Sequence, residues 1–173
     1  VQIQFSILKD NVCIFIDTTG PGLHKRGYRR NSNDAPIKET LAAGIIDLAR
    51  VRQNSIIGDP FCGSGTFLIE SAYKACNIAP GLRRKFSAEN WGFVPKDIWI
   101  EERNNCLSQI NKTAEFKAYG FDIDEECIEL SLDNAKKAGV GSKIEVSNAD
   151  ITQYKPIENS ITMCNPPYGE RLL

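Results

Sequence analysis

The protein has 173 residues, 42% of them hydrophobic and 25% charged, enough for one domain with a core of its own. Lysine and arginine number 21 against 22 aspartates and glutamates, so the chain lacks the global positive field of a histone-like or tail-driven nucleic-acid binder, while a local basic patch stays open. The composition argues against disorder and against collagen- or mucin-like architecture, and neither a signal-peptide pattern nor an apolar run of about 18 residues is visible, which points to a soluble cytoplasmic protein without a membrane partner.

Residues 3–8 and 12–17 are short apolar runs rich in β-branched and aromatic side chains, and the Lys-Asp-Asn between them reads as a hairpin turn. Residues 18–36 form a long polar loop with glycines and prolines. It carries the densest basic cluster of the chain, Lys25, Arg26, Arg29 and Arg30, a candidate contact for nucleic-acid phosphates. Asp34 or Ala35 can cap a helix with Pro36 in its first turn, and Ile37, Leu41, Ile45 and Leu48 then make one apolar stripe ending near Val51. A short strand over 55–58 runs into Asp-Pro-Phe-Cys-Gly-Ser-Gly-Thr at 59–66, followed by a helix over 67–75. An irregular stretch over 76–95, with a basic run at Arg83, Arg84 and Lys85, precedes a second helix over 96–112.

Further strands are expected over 117–122, 144–147 and 160–164. Asp124 can cap a helix that Gly139 closes, and Asn-Pro-Pro-Tyr follows the last strand. Strands alternating with helices at this spacing define an α/β fold with an open, mostly parallel sheet, and every unusual polar cluster falls at a strand's carboxyl end, where such sheets bind ligands. Only about four such strands are present, so the sheet is expected to be incomplete on its C-terminal side. The division expected is a hairpin and basic loop over 1–34 and a core over 35–173.

The six cysteines, Cys13, Cys62, Cys76, Cys106, Cys127 and Cys164, contain no CxxC pair, and His24 is the only histidine. Metal centres and thioredoxin-like pairs therefore lack their ligands, and free, buried thiols in a reducing compartment are expected. Cys62 and Cys164 lack the partners of a thiolate nucleophile and read as packing residues.

In the 59–66 loop, Gly63 and Gly65 let the backbone turn tightly beside a ligand. No lysine precedes Thr66, so this is not a Walker loop; position 68 is leucine and the acidic residue Asp122 lies far downstream, so a dinucleotide fits poorly. S-adenosylmethionine (SAM) fits better. It has no phosphates; its ribose hydroxyls suit Asp122, with Ile123 beside it, its adenine amino group suits Asp150, and its cationic sulfonium and ammonium suit Asp59. Phe61, Cys62, Ser64 and Thr66 complete the candidate cofactor loop. At Asn165-Pro166-Pro167-Tyr168 the prolines fix the backbone and leave carbonyls that only accept. The Asn165 amide oxygen and the Pro166 carbonyl can then hold one amino group while Tyr168 stacks on a flat ring, an arrangement suited to a nucleobase amine attacking a methyl group.

Leu-His-Lys-Arg-Gly-Tyr-Arg at 23–29, Ala-Pro-Ile-Lys-Glu-Thr-Leu-Ala-Ala-Gly-Ile-Ile at 35–46, the 59–66 loop and the 165–172 stretch together resemble the THUMP-associated class I RNA methyltransferases, bacterial 23S rRNA guanine-N2 enzymes among them. The 120–140 segment is similar to the second strand and following helix of that family. The resemblance implies a Rossmann-like sheet, SAM as cofactor, RNA (rRNA first) as partner, and an RNA-binding THUMP domain in the parent chain. It implies guanine N2 as acceptor, with tRNA guanine, DNA adenine N6 and a catalytically silent RNA-binding fragment as alternatives.

Overall fold

The computed structural model describes residues 1–29 and 36–167. Two strands, β1 (Gln2–Leu8) and β2 (Asn11–Asp17), form an antiparallel hairpin. Its turn is Lys9-Asp10, both at positive φ (48° and 60°), the two-residue geometry whose twist matches that of the flanking strands. Register pairs Ile3 with Ile16, Phe5 with Ile14 and Ile7 with Val12, which puts six apolar side chains on one face; each is more than half exposed among the described residues.

The remaining elements are α1 (Glu39–Leu48), β3 (Ile56–Asp59), α2 (Thr66–Ala75), α3 (Lys96–Ser108), β4 (Lys117–Asp122), α4 (Glu125–Ala138), β5 (Ile144–Asn148) and β6 (Ser160–Thr162). The four strands β5-β4-β3-β6 pair in that order and all in parallel. The chain steps outward from β3 to β4 to β5, then returns to the far side of β3 for β6. This reversal makes the carboxyl ends of β3 and β6 the switch point where open α/β sheets leave a crevice. The architecture is thus an open, Rossmann-like parallel sheet preceded by an antiparallel hairpin, as expected.

Local chemistry sets most boundaries. Asp124 caps α4 by accepting from the Glu126 amide at 2.9 Å, and Gly139 closes the helix at φ 79°. Pairing continues past β6 through the Met163 amide to the Gly58 carbonyl at 2.9 Å, although the regular strand stops short of the expected 160–164. Helix α3 ends at Ser108, not 112.

Helix α1 departs from the expected stripe. It begins at Glu39 with Lys38 as its extended N-cap and ends at Leu48, and the proposed caps Asp34 and Ala35 lie outside the described residues. Its buried positions are Glu39, Ala42 and Ile46, while Leu41 and Leu48 face out at 57% and 85% exposure. The physical reason is an ion pair: Glu39 turns inward to Arg29, at 3.5 Å, and small Ala42 follows on that face where α1 packs on α2.

Helix α2 is covered on every side. Residues Thr66 to Tyr73 and Ala75 are all buried, and the core around them includes Ile57, Phe116, Ala118, Ala135, Ala138 and Ile144. A carboxylate at such a place needs partners, and Glu70 has them. Arg26 Nη2 reaches Glu70 Oε2 at 3.2 Å, Arg26 Nε reaches Oε1 at 3.4 Å, and the Tyr28 hydroxyl donates to Oε1 at 3.1 Å. Burial still pushes the Glu70 carboxyl above its ordinary range, with Arg26 pulling it back down. The 23–29 segment is thereby docked onto α2, with the Tyr28 ring edge-on to Tyr73 at 6.0 Å.

Removing one member of a buried pair strands the other. Arg26→Ala is expected to cost about 3–5 kcal/mol of unfolding free energy, measured by urea denaturation, while replacing both residues by apolar groups of similar volume (Arg26→Met with Glu70→Leu) recovers most of the loss.

Candidate active-site cleft

The turn after β3 places its side chains by backbone bonds. Asp59, 1% exposed at the strand end, accepts from the Phe61 amide at 3.1 Å, and the Cys62 amide donates to the Phe121 carbonyl at 2.9 Å. Gly63 and Gly65 both take positive φ, 50° and 76°. A Cβ at Gly65 would sit 2.8 Å from Ser131 Oγ, so only glycine fits against α4, whereas a Cβ at Gly63 meets nothing within 4 Å and faces open space. Helix α4 holds the loop's carbonyls: Ser131 Oγ donates to the Gly63 carbonyl at 2.8 Å and Asn134 Nδ2 to that of Ser64 at 3.0 Å. The Gly63 amide donates to Asp122 Oδ2 at 2.9 Å, linking the ends of β3 and β4.

These residues surround an open cleft of about 310 Å³, lined by Pro36 and Ile37 before α1, by Asp59, Phe61 to Ser64, Thr66 and Phe67, by Asp122 and Ile123, and by Asn165, Pro166 and Pro167. The structure therefore brings the glycine loop, the β4 acid and the Asn-Pro-Pro segment to one place. Asn165 is half-buried, and its side-chain amide has no hydrogen-bond partner among the described residues. Tyr168 lies outside the described residues. Gly65 and Asp150 are not among the lining residues. Gly65 turns its back to the cleft, and Asp150 caps the short turn over 151–153, accepting from the Thr152 amide at 2.8 Å and its hydroxyl at 2.6 Å. Those bonds hold its carboxyl below the usual carboxylate range.

Burial pushes Asp59 up to about 7, with nearby Asp122 adding to the rise and the Phe61 amide opposing it. The Cys62 thiol is pushed far above its ordinary range, first by burial and then by Asp59, and the Cys164 thiol is raised by the same two causes. At both positions these effects disfavour the thiolate that a nucleophile needs. Cys62 is buried with Cys76 and Cys127 and Cys106 is half-buried, but Cys13 and Cys164 are exposed, so the expectation of buried thiols fails for these two, and with it the reading of Cys164 as a packing residue. Cys164 sits where β6 has ended and the sheet offers it no cover.

The basic cluster does not form one surface. Lys25 is exposed and Arg30 lies outside the described residues, while Arg26 is taken up by Glu70. Arg29 Nη1 pairs with Glu39 at 3.5 Å and its Nη2 donates to the Thr66 hydroxyl. Arg84 is likewise buried, donating to the carbonyls of Gly22 at 3.0 Å, Thr19 at 3.4 Å, and Pro21. Arg83 donates to the Lys137 carbonyl near the end of α4, and Lys85 remains exposed. Guanidiniums here satisfy buried carboxylates and loop carbonyls, a use that charge counting along the chain does not reveal. Sequence reasoning also missed Ser131 and Asn134; their signal was two polar residues three apart on the α4 face that is otherwise apolar and buried.

The model of the RMKL-like methyltransferase domain matches residues 26–173. The ribosomal RNA large subunit methyltransferase K/L of Vibrio parahaemolyticus is 39% identical over 179 residues, covering 99% of this chain and 25% of its own length. The crystal structure of a possible methylase from Clostridium difficile 630 is 49% identical with a TM-score of 0.91, covering 98% of this chain and 45% of that one. The structure of SMU.472 complexed with SAH is 41% identical with a TM-score of 0.89, covering 99% of this chain and again 45% of that one. The chain thus spans less than half the length of each of these relatives. Among the described residues, no helix is long and apolar enough to cross a membrane and no group of side chains is arranged to hold a metal ion. With the family model running from the 23–29 segment through the glycine loop to the Asn-Pro-Pro end of the cleft, the chain belongs to the RMKL-like methyltransferase domain family.

Proposed function

We propose that the protein transfers a methyl group from SAM to the exocyclic N2 amine of a guanine in ribosomal RNA. The observation that carries this reading is the single cleft in which the glycine loop and Asp122 meet Asn165, Pro166 and Pro167. The SAH complex of a 41%-identical relative and the names of the K/L relatives support the cofactor and the substrate class.

In this reading the cofactor lies along the 59–66 loop, with its ribose hydroxyls on Asp122 beside Ile123 and its cationic end toward Asp59. The open space at Gly63 admits it without a Cβ in the way. Asp150 is the candidate acceptor for the adenine amino group; the neighbouring Ala149 amide donates to the Asp122 carbonyl at 3.0 Å, which ties the two strand ends together. Asn165 and the Pro166 carbonyl accept from the guanine amine and favour its pyramidal form, with Tyr168 stacking on the ring. The amine lone pair attacks the methyl carbon, the carbon–sulfur bond breaks with its electrons returning to sulfur, and the amine releases a proton to solvent. SAM becomes SAH without a covalent enzyme intermediate. A paired guanine reaches the cleft by extrusion from its helix.

Lys25 and Lys85 are exposed cations suited to RNA phosphates, while Arg26, Arg29 and Arg84 are engaged elsewhere; Arg30, the remaining member of the cluster, lies outside the described residues. A THUMP domain in the parent chain supplies further RNA binding, the 1–34 hairpin and loop lead into the 35–173 core, and free cysteines suit a cytoplasmic, reducing location.

Incubating the protein with methyl-labelled SAM and separate pools of unmodified rRNA, tRNA and DNA, then digesting to nucleosides, is expected to give labelled N2-methylguanosine from rRNA. Label in tRNA would move the target, and N6-methyladenine from DNA would overturn the substrate. Asn165→Ala is expected to reduce transfer by about 10²–10³-fold while leaving SAH affinity, by calorimetry, within about threefold. Loss of SAH binding in that variant would defeat the catalytic assignment.

Asp59 adds a pH signature. Its carboxyl titrates near 3.8 when unfolded and about 7 when folded, so the folded form holds the proton more tightly. The associated stability is complete below the lower value and is lost as pH rises through the upper one. A cationic ligand prefers the ionised carboxylate, so SAM affinity is expected to increase from about pH 5.5 to about pH 7.5 in the wild type. Asp59→Asn should flatten both the stability profile and the affinity profile.

A further inference from the structure

We propose that Arg29 is a positioning residue of the cofactor cleft and not a contact for RNA phosphates, an inference that rests on the SAM-binding reading above. Its guanidinium joins two stretches of the cleft wall that are distant in sequence. Nη2 donates to the hydroxyl of Thr66, the first residue of α2 and itself a lining residue. Nη1 pairs at 3.5 Å with Glu39, the first residue of α1, two positions after Ile37 of the Pro36–Ile37 stretch that lines the cleft. The Thr66 hydroxyl lies 3.3 Å from Ser64 Oγ, so the connection continues into the glycine loop. Arg29 and Glu39 side chains are 13% and 5% exposed, which leaves Arg29 little freedom to reach a polyanion outside. Neighbouring Tyr28 and Arg26 fix the same segment on Glu70, one helical turn further along α2. Two successive α2 turns thus hold the 23–29 segment, and the bond on the first of them, at Thr66, ends in the cleft. By this geometry Arg29 fixes the start of α1 against the start of α2 and thereby shapes the wall the cofactor contacts.

Arg29→Ala alone would leave Glu39 buried and unpaired, so folding and positioning would change together. The informative variant is Arg29→Met with Glu39→Gln, which removes both charges and still removes the bond to Thr66. The expected result is a melting temperature near that of the wild type, SAH affinity weakened about tenfold by calorimetry, KM for SAM raised in parallel, and kcat changed less than about threefold. Thr66→Val should weaken SAH binding similarly, and adding it to the double variant should bring no further loss, because the two act through one bond. Unchanged SAH affinity in the Met/Gln variant, or fully additive losses with Thr66→Val, would overturn the proposal. A reduced salt dependence of RNA binding with SAH affinity intact would return Arg29 to the phosphate-contacting set. Failure of the wild type to bind SAH would instead defeat the cofactor reading on which the proposal stands, and the two failures are separated by that one titration.

Discussion

Helix α2 has no solvent-facing side apart from Lys74, and that constraint organises the molecule around it. A helix inside a sheet's cover would ordinarily be apolar all round. This one carries Thr66 and Glu70 four residues apart on one face, and both must be satisfied from within the protein. The 23–29 segment supplies the partners: Arg29 for Thr66, and Arg26 with Tyr28 for Glu70. Polar residues inside the helix thus decide where a long, otherwise irregular loop lies. The loop in turn closes one side of the cleft, because Arg29 also fixes Glu39 at the start of α1.

The same logic extends outward in a second layer of arginines. Residues 18–29 and 76–95 contain little regular structure, so their carbonyls need donors that no ladder provides. Arg84 serves three carbonyls in the 19–22 stretch, and Arg103 serves Leu82 at 2.7 Å and Arg84 at 2.9 Å while pairing with Glu89 at 2.6 Å. The planar guanidinium, with five donors, suits such bridging better than an ammonium would. Side-chain donors hold together here what backbone pairing holds together in the sheet.

What the sequence makes legible follows from how local each signal is. The αL glycines of the loop, the Asp124 cap, the Gly139 stop and the alternation of strands with helices are written in neighbouring residues, and the sheet follows them closely. Asp122 is legible as a carboxylate at a strand end; β4 ends on it, and its side chain accepts from the Gly63 amide. The α1 face is not legible, because an ion pair with a residue ten positions earlier outweighs the Leu41 and Leu48 periodicity. Nor is the fate of the basic cluster: four cations close together in sequence look alike on the page, and only tertiary packing distinguishes exposed Lys25 from buried Arg26. Charge in a sequence is visible, but its partner is not.

These two kinds of information meet in the cleft. Its floor is set by local chemistry, since positive-φ glycines let the chain turn at the sheet's switch point and α4 draws the loop's carbonyls away through Ser131 and Asn134. With those carbonyls taken, and the Phe61, Cys62 and Gly63 amides bonded within the protein, what the loop presents to a ligand is weighted toward the acids Asp59 and Asp122. Its flank is set by long-range pairing through Arg29 and Glu39. The acids Asp59 and Asp122 stand at two adjacent strand ends of the cleft, and the proline-stiffened stretch of Asn165, Pro166 and Pro167 stands at a third. Floor and flank meet at Thr66, whose hydroxyl accepts from Arg29 and lies 3.3 Å from Ser64 Oγ, so the flank bears on the loop it adjoins. The 23–29 segment is therefore as much a part of the cleft's architecture as the glycine loop it supports.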